Sequence, residues 1–173
     1  MSFVASPVSQ NYSTPVEPPE RLLRSSLLSG VKGIVHGFTT RHGGISEPPR
    51  DSLNLGRKIG DPPKIIRENR NRVLESLGIP GHAWVSLTQV HGNAVVEVTP
   101  NASKAIEADG LWTRSSEAAL AVTVADCVPL VFAHASGAAV AAVHAGWRGT
   151  VAKIATEMVH RFKKAGFPPD ELL

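Results

Sequence analysis

Cys127 is the only cysteine in this chain of 173 residues, set in Ala125-Asp126-Cys127-Val128. His144 follows in His144-Ala145-Gly146-Trp147-Arg148-Gly149, and His91 precedes it in Gln89-Val90-His91. A lone thiol has no intramolecular disulfide partner, so its work is packing, nucleophilic attack or metal binding. Taken singly, each residue has a plain structural reading: a small buried hydrophobe, a satisfied core histidine, a turn histidine. Taken together, with a carboxylate before the cysteine and an arginine after the histidine, they point to a Cys-His-His metal site. Three protein ligands with one open position make the catalytic form of a zinc site. Zinc there would lower the pKa of a bound water to roughly 7. A His2Cys set is also the pattern of blue copper, which wants an axial partner. Met1 and Met158, the two methionines, lie in a terminal arm and on a helix, so zinc is favoured over copper. Arg41 and Arg148 are candidate anion clamps, because a guanidinium matches phosphate bidentately. Asp126 is a candidate for orienting its neighbours. His36, His42, His82, His134 and His160 have weaker claims, with His82 and His160 expected at the surface.

The elements that must position these residues can be read from periodicity. Residues 1–20, rich in Ser and Pro, read as a flexible arm, leaving 21–173 as a single catalytic domain. Val31 to Thr39 reads as a first strand. Thr40 to Ser46, with paired glycines, reads as a loop able to point N–H groups at an anion, and Ser52 to Gly56 as a second segment of this type. Asp61 is expected to cap a helix with Pro62 as its first residue. Ile65, Ile66, Asn69, Val73, Leu74 and Leu77 continue it, and Arg67, Arg70 and Arg72 read as its solvated face. Trp84–Val90 and Ala94–Val98 read as strands flanking a short turn at His91. Three apolar runs, 120–124, 128–133 and 138–143, lack clean alternation and so are expected to be buried on both faces. Thr150 to Ala165 reads as a second helix ending at Gly166. The fold class is therefore α+β, a mixed β-sheet core with flanking helices. If Ala133 and Ala138 close a hairpin, Cys127 falls directly opposite His144, with Cβ atoms roughly 4.5–5.5 Å apart.

Composition narrows the function classes. Hydrophobic residues make up 42% of the chain and charged residues 19%, enough apolar side chain for a real core. The net charge of +3 is spread out, with no basic stripe interleaved with aromatics, so nucleic acid is not an expected partner. No run is long enough to span a membrane. One cysteine and no secretory pattern suggest the cytoplasm.

Six ordered phrases carry a family resemblance: His36 to Gly44, Ser52 to Gly56, Gln89 to Gly92, Ala108-Asp109-Gly110, Thr123 to Pro129 and Ala142 to Gly149. Together they resemble the YfiH family, also called the multicopper polyphenol oxidase or laccase-domain family. The resemblance implies a cysteine-hydrolase-like fold and a metal-dependent purine nucleoside phosphorylase acting on adenosine, inosine and methylthioadenosine, with adenosine deaminase activity. It also implies purine nucleoside and phosphate as partners, and metal ligands at His91, Cys127 and His144. Polyphenol oxidation and peptidoglycan-precursor editing are further family attributions. Members normally continue past the point matching Leu173, which implies a C-terminally shortened member. Three rivals remain: a metal-free Cys-His hydrolase or deamidase, a copper oxidase, and an inactive truncated binding domain.

Overall fold

Two runs of small and β-branched residues, Ala119–Thr123 and Val140–Ala145, have both faces buried. The reason is visible in the computed structural model, which describes residues 2–7, 22–57, 60–100 and 106–173. Among these described residues nine strands form two mixed sheets: β1 (Ser2–Pro7), β2 (Leu22–Leu23), β3 (Ile34–Thr39), β4 (Trp84–Val85), β5 (Val95–Glu97), β6 (Gly110–Thr113), β7 (Ala119–Thr123), β8 (Val128–Ala133) and β9 (Val140–Ala145). The first sheet runs β2-β3-β1-β7-β4 and the second β5-β6-β9-β8. Four α-helices accompany them among the described residues: α1 (Ser26–Ser29), α2 (Pro63–Ser76), α3 (Trp147–Val151) and α4 (Ile154–Lys164). The architecture is α+β, as the sequence implies.

Strand alternation sorts the core into layers. Leu120 and Val122 of β7 meet Val140 and Ala142 of β9 between the sheets, together with Ala5, Val85 and Leu111. Ala119 and Ala121 face the other way, onto Val73, Leu74 and Leu77 of the α2 region. Ala141 and Val143 likewise turn outward to Ile154, Met158 and Phe162 of α4. The order is thus helix, sheet, sheet, helix. The run 128–133 departs from this burial because β8 is an edge strand, and Val128 is exposed.

Several expectations are corrected. Within the arm expected over 1–20, residues 2–7 form β1, which pairs with both β3 and β7 at the centre of the first sheet; residues 8–21 lie outside the described residues. Its Val4 and Ala5 are fully buried, so packing outweighs the polar composition that follows. The first strand begins at Ile34, not Val31. The hairpin of β8 and β9 is antiparallel, but its register is two residues longer than expected, so Pro129 rather than Cys127 faces His144. The His134 N–H donates to the Ala139 carbonyl, which widens the loop. A slip of two preserves which face each side chain takes, where a slip of one would have reversed it. Trp84–Val90 and Ala94–Val98 do not flank a hairpin: β4 pairs with β7, and β5 pairs in parallel with β6 of the other sheet. The expected second helix is broken at Lys153, whose φ is 60°, and Val151 is exposed, whereas Ile154, Met158 and Phe162 are buried. The last residues form a short 3-10 turn at Pro169–Glu171, and Leu173 exchanges backbone hydrogen bonds with Ala133.

α2 begins at Pro63 without a side-chain cap. Asp61, the expected cap, instead accepts hydrogen bonds from Ser46 Oγ at 2.7 Å, Arg50 Nε at 2.8 Å and Asn54 Nδ2 at 2.8 Å. The Ser46 hydrogen bond, aided by Asn54 and Arg50 against the opposing effect of burial, holds the Asp61 carboxyl below its ordinary 3.8. A carboxyl depressed on folding contributes stability above its unfolded pKa, and that stability is lost as pH falls through the folded value. Asp61→Asn is therefore expected to be less stable than the parent at neutral pH, with the gap closing below pH about 4. Urea unfolding across that range checks it, and a gap independent of pH would refute it. Arg70, expected on a solvated face, is buried. Its Nε and Nη2 donate to the Leu55 carbonyl at 3.1 and 2.6 Å, and its guanidinium lies 5.0 Å from the Trp84 ring centroid.

Candidate metal centre

His91 is placed by an anchor that the sequence reading did not single out for a role. Asp109, fully buried just before β6, accepts hydrogen bonds from three successive backbone N–H groups: Val90 at 3.2 Å, His91 at 3.0 Å and Gly92 at 2.7 Å. The turn puts His91 at φ 61°, a left-handed conformation uncommon outside glycine and concentrated at functional sites. Just before this turn, the Gln89 side-chain amide both donates to and accepts from the Thr123 backbone, each at 2.8 Å, tying this segment to β7. Behind it α3 packs tightly: a Cβ on Gly149 would lie 2.6 Å from the Gly92 carbonyl oxygen.

Asp109 also fixes His144. The His144 Nδ1–H donates to Asp109 Oδ1 at 2.7 Å, and the His144 backbone N–H donates to the Asp109 carbonyl at 2.7 Å. With Nδ1 engaged, Nε2 is the nitrogen left for a ligand. Burial acts to raise the Asp109 pKa, but the hydrogen bonds from His144 and from the N–H groups of Gly92, His91 and Val90 outweigh it and hold the carboxyl below its ordinary value. The signal that could have found Asp109 is a carboxylate beside a strand of apolar residues, since a buried charge needs partners.

Cys127 sits in the bend between β7 and β8, and His144 is near the end of β9. The ligand atoms of His91, Cys127 and His144 all lie within 4.8 Å of one another. The two imidazoles stand nearly perpendicular, with centroids 4.7 Å apart. Tetrahedral bonds of roughly 2.0–2.3 Å separate donors by about 3.5 Å, so the triad closes on an ion by a small contraction. The space for it is kept by Gly146, where a Cβ would lie 3.0 Å from His91 Cδ2, 3.4 Å from Cys127 Sγ and 3.5 Å from His144 Cε1. Both the donor set and the room fit a metal ion. Burial pushes the Cys127 thiol up, as do the carboxylates of Asp126 and Asp109. A thiolate there calls for a cation, and metal coordination supplies one.

The triad lies in the wall of a cleft of about 650 Å³, which Leu53, Leu55, Leu87 and Val124 line with apolar surface. Of the other expected site residues, Arg41 and Asp126 line this cleft and Arg148 does not. Arg148 is exposed on α3 and stands 5.3 Å from the Trp147 ring centroid. Arg41 is held by Asp51, with Nη2 at 3.0 Å from its carboxylate and Nε donating to its carbonyl at 2.8 Å. Asp126 Oδ1 lies 3.6 Å from Cys127 Sγ. The glycine loop does not turn all its N–H groups outward: those of Gly44, Ile45 and Ser46 donate to Ser52 Oγ, Asn69 Oδ1 and the Ser52 carbonyl. Among the weaker histidines, His36 is buried, accepting from the Ser25 N–H through Nε2 at 2.9 Å, and His134 is buried beside Glu171.

A helix-flanked pair of mixed sheets with a His-Cys-His triad in a cleft defines the class of protein. Residues 35–173 match the family model described as multi-copper polyphenol oxidoreductase laccase, and the chain belongs to that family. The purine nucleoside phosphorylase PA4543 of Pseudomonas aeruginosa is 44% identical over 135 residues, covering 78% of this chain and 52% of that protein. The purine nucleoside phosphorylase YfiH of Escherichia coli is 44% identical over 133 residues, covering 76% and 54%. The crystal structure of YlmD from Geobacillus stearothermophilus superposes with a TM-score of 0.79 at 34% identity, covering 93% of this chain and 62% of that one. The chain spans about half the length of the curated relatives it matches. No helix among the described residues is long and apolar enough to cross a membrane.

Proposed function

We propose that this chain carries the metal-bearing part of a purine nucleoside phosphorylase site, with zinc held by His91, Cys127 and His144. The observation that carries the reading is the convergence of those three ligand atoms in the wall of a cleft that also presents Arg41. Relatives named as purine nucleoside phosphorylases support the reaction class. Bound zinc would supply a Lewis acid and an activated water. The chain's own residues do the rest. The apolar walls at Leu53, Leu55, Leu87 and Val124 suit the faces of a purine ring. Arg41, fixed by Asp51, offers positive charge for phosphate. Asp109 holds His144 in one tautomer and keeps His91 turned into the site. Asp126, beside Cys127 in the lining of the cleft, would orient its neighbours. Exposed Arg148 would reach phosphate only from outside the cleft.

Zinc is preferred to copper because Met158, the one methionine among the described residues, is buried in the α4 layer and is no axial ligand. A metal-free thiolate nucleophile is disfavoured by burial and by the nearby carboxylates, which together raise the Cys127 pKa. The test is incubation with inosine and adenosine, with and without phosphate, and identification of the products. Phosphate-dependent release of the base with ribose 1-phosphate, abolished by a chelator and by Cys127→Ala, is expected. Ammonia from adenosine would report the deaminase activity. Base release that ignores both phosphate and chelator would refute the reading.

A further inference from the structure

A second cavity, of about 530 Å³, lies on the far side of Arg57 and Arg70, two residues that line both it and the metal-bearing cleft. Its walls bring together an unusual surplus of positive charge. Arg67 and Arg70 stand three residues apart on one face of α2, and Arg57 approaches from the loop after Leu55. The one carboxylate in the wall, Asp61, is already occupied by Arg50, Ser46 and Asn54. Arg57 and Arg67 have no ion-pair partner among the described residues, and Arg70 has only the neutral Leu55 carbonyl and the Trp84 ring. A buried guanidinium is ordinarily matched by an anion, yet burial and the charge of Arg57 together pull Arg70 down to about 10. Trp84, in the same wall, has a buried indole N–H with no acceptor. Three arginines in one cavity wall whose carboxylate is already engaged, beside a donor in need of an acceptor, make a receptor for an oxyanion.

We propose that Arg57, Arg67 and Arg70 form a phosphoryl-binding site, separate from the metal triad, that holds a phosphate group at the boundary of the two cavities. The ligand is inorganic phosphate or the phosphate of a phosphorylated nucleoside, which offer the same oxygens to the three guanidinium groups. The site goes beyond the phosphorylase reading and does not depend on it.

The experiment titrates the metal-stripped protein with inorganic phosphate and, separately, with inosine monophosphate, at low salt, by calorimetry and tryptophan emission. Arg70 stacks on Trp84, so an anion on Arg70 is expected to change Trp84 emission, and Trp84→Phe identifies that signal. Saturable binding is expected with at least one probe, weakened about tenfold by either Arg57→Gln or Arg67→Gln. These two side chains are exposed, so the variants fold. The Trp84 signal is expected to survive Arg41→Gln. Binding by inorganic phosphate alone identifies a free-phosphate site, and binding by the monophosphate alone a nucleotide site. No saturable binding of either probe, binding indifferent to both arginine variants, or a Trp84 signal lost with Arg41→Gln would overturn the proposal. Because no turnover is measured, a protein that fails to phosphorolyse inosine still gives a clear answer.

Discussion

Asp109→Ala is expected to strip the metal and to destabilise the whole protein. Its carboxylate is fully buried and accepts from the backbone N–H groups of Val90, His91 and Gly92 and from His144 Nδ1. Truncation leaves four donors without that acceptor, in a place little open to water. An unsatisfied buried group costs about 1–3 kcal/mol, and relaxation lets some of these reach water, so a loss of about 3–5 kcal/mol in total is expected. Metal affinity should fall by about 10–100-fold or more, because the partner that fixes a ligating histidine is lost along with the turn that holds a second. Thermal unfolding of the apo protein and zinc competition against a chromophoric chelator measure the two effects. An Asp109→Ala protein with parental melting temperature and parental zinc affinity would rule out the anchor described here.

Gly146→Ala should lose the metal too, but with the fold intact. Gly146 has φ −70° and ψ 166°, a conformation alanine adopts freely, so no backbone strain is added. The new methyl group would instead press on His91, Cys127 and His144 at once, at 3.0, 3.4 and 3.5 Å from the nearest atom of each. These side chains must move apart where an ion needs them to move together. Zinc affinity is expected to drop by about 10–100-fold, with apo stability within about 1 kcal/mol of the parent. Parental zinc content in this variant would mean that the three ligands do not close around the space beside Gly146. Asp109 and Gly146 therefore separate two requirements of the site, orientation and room.

Much of this site was legible because side-chain periodicity survives errors of register. Cys127 and His144 were brought together by a hairpin whose turn was drawn two residues too short, and the parity of the strands kept the conclusion sound. The doubly buried strands were legible from their run of apolar residues, since a strand between two covered faces has no polar side to show. What stayed hidden depends on contacts distant in sequence. Nothing near Ser2–Pro7 reveals that β3 and β7 leave a gap for it. Arg70 looked solvated because an arginine's burial is decided by Trp84 and the Leu55 carbonyl, neither of them on its helix. Asp109 stands in the phrase Ala108-Asp109-Gly110, but its role depends on the turn at His91 folding over it. The break between α3 and α4 follows from Lys153 adopting a left-handed conformation, which an apolar stripe does not encode.

The central position of β1 bears on how the protein is made. Ala5 faces His36 on one side and Leu120 on the other, so the strand bridges two partners that lie far apart in the sequence. During synthesis β1 can pair with β3 early, but its other edge has no partner until β7 leaves the ribosome. Until then an apolar strand edge stands open, and such edges recruit other chains. Contacts this distant also slow folding. Yield of soluble protein should therefore be governed less by the metal site than by how long that edge waits.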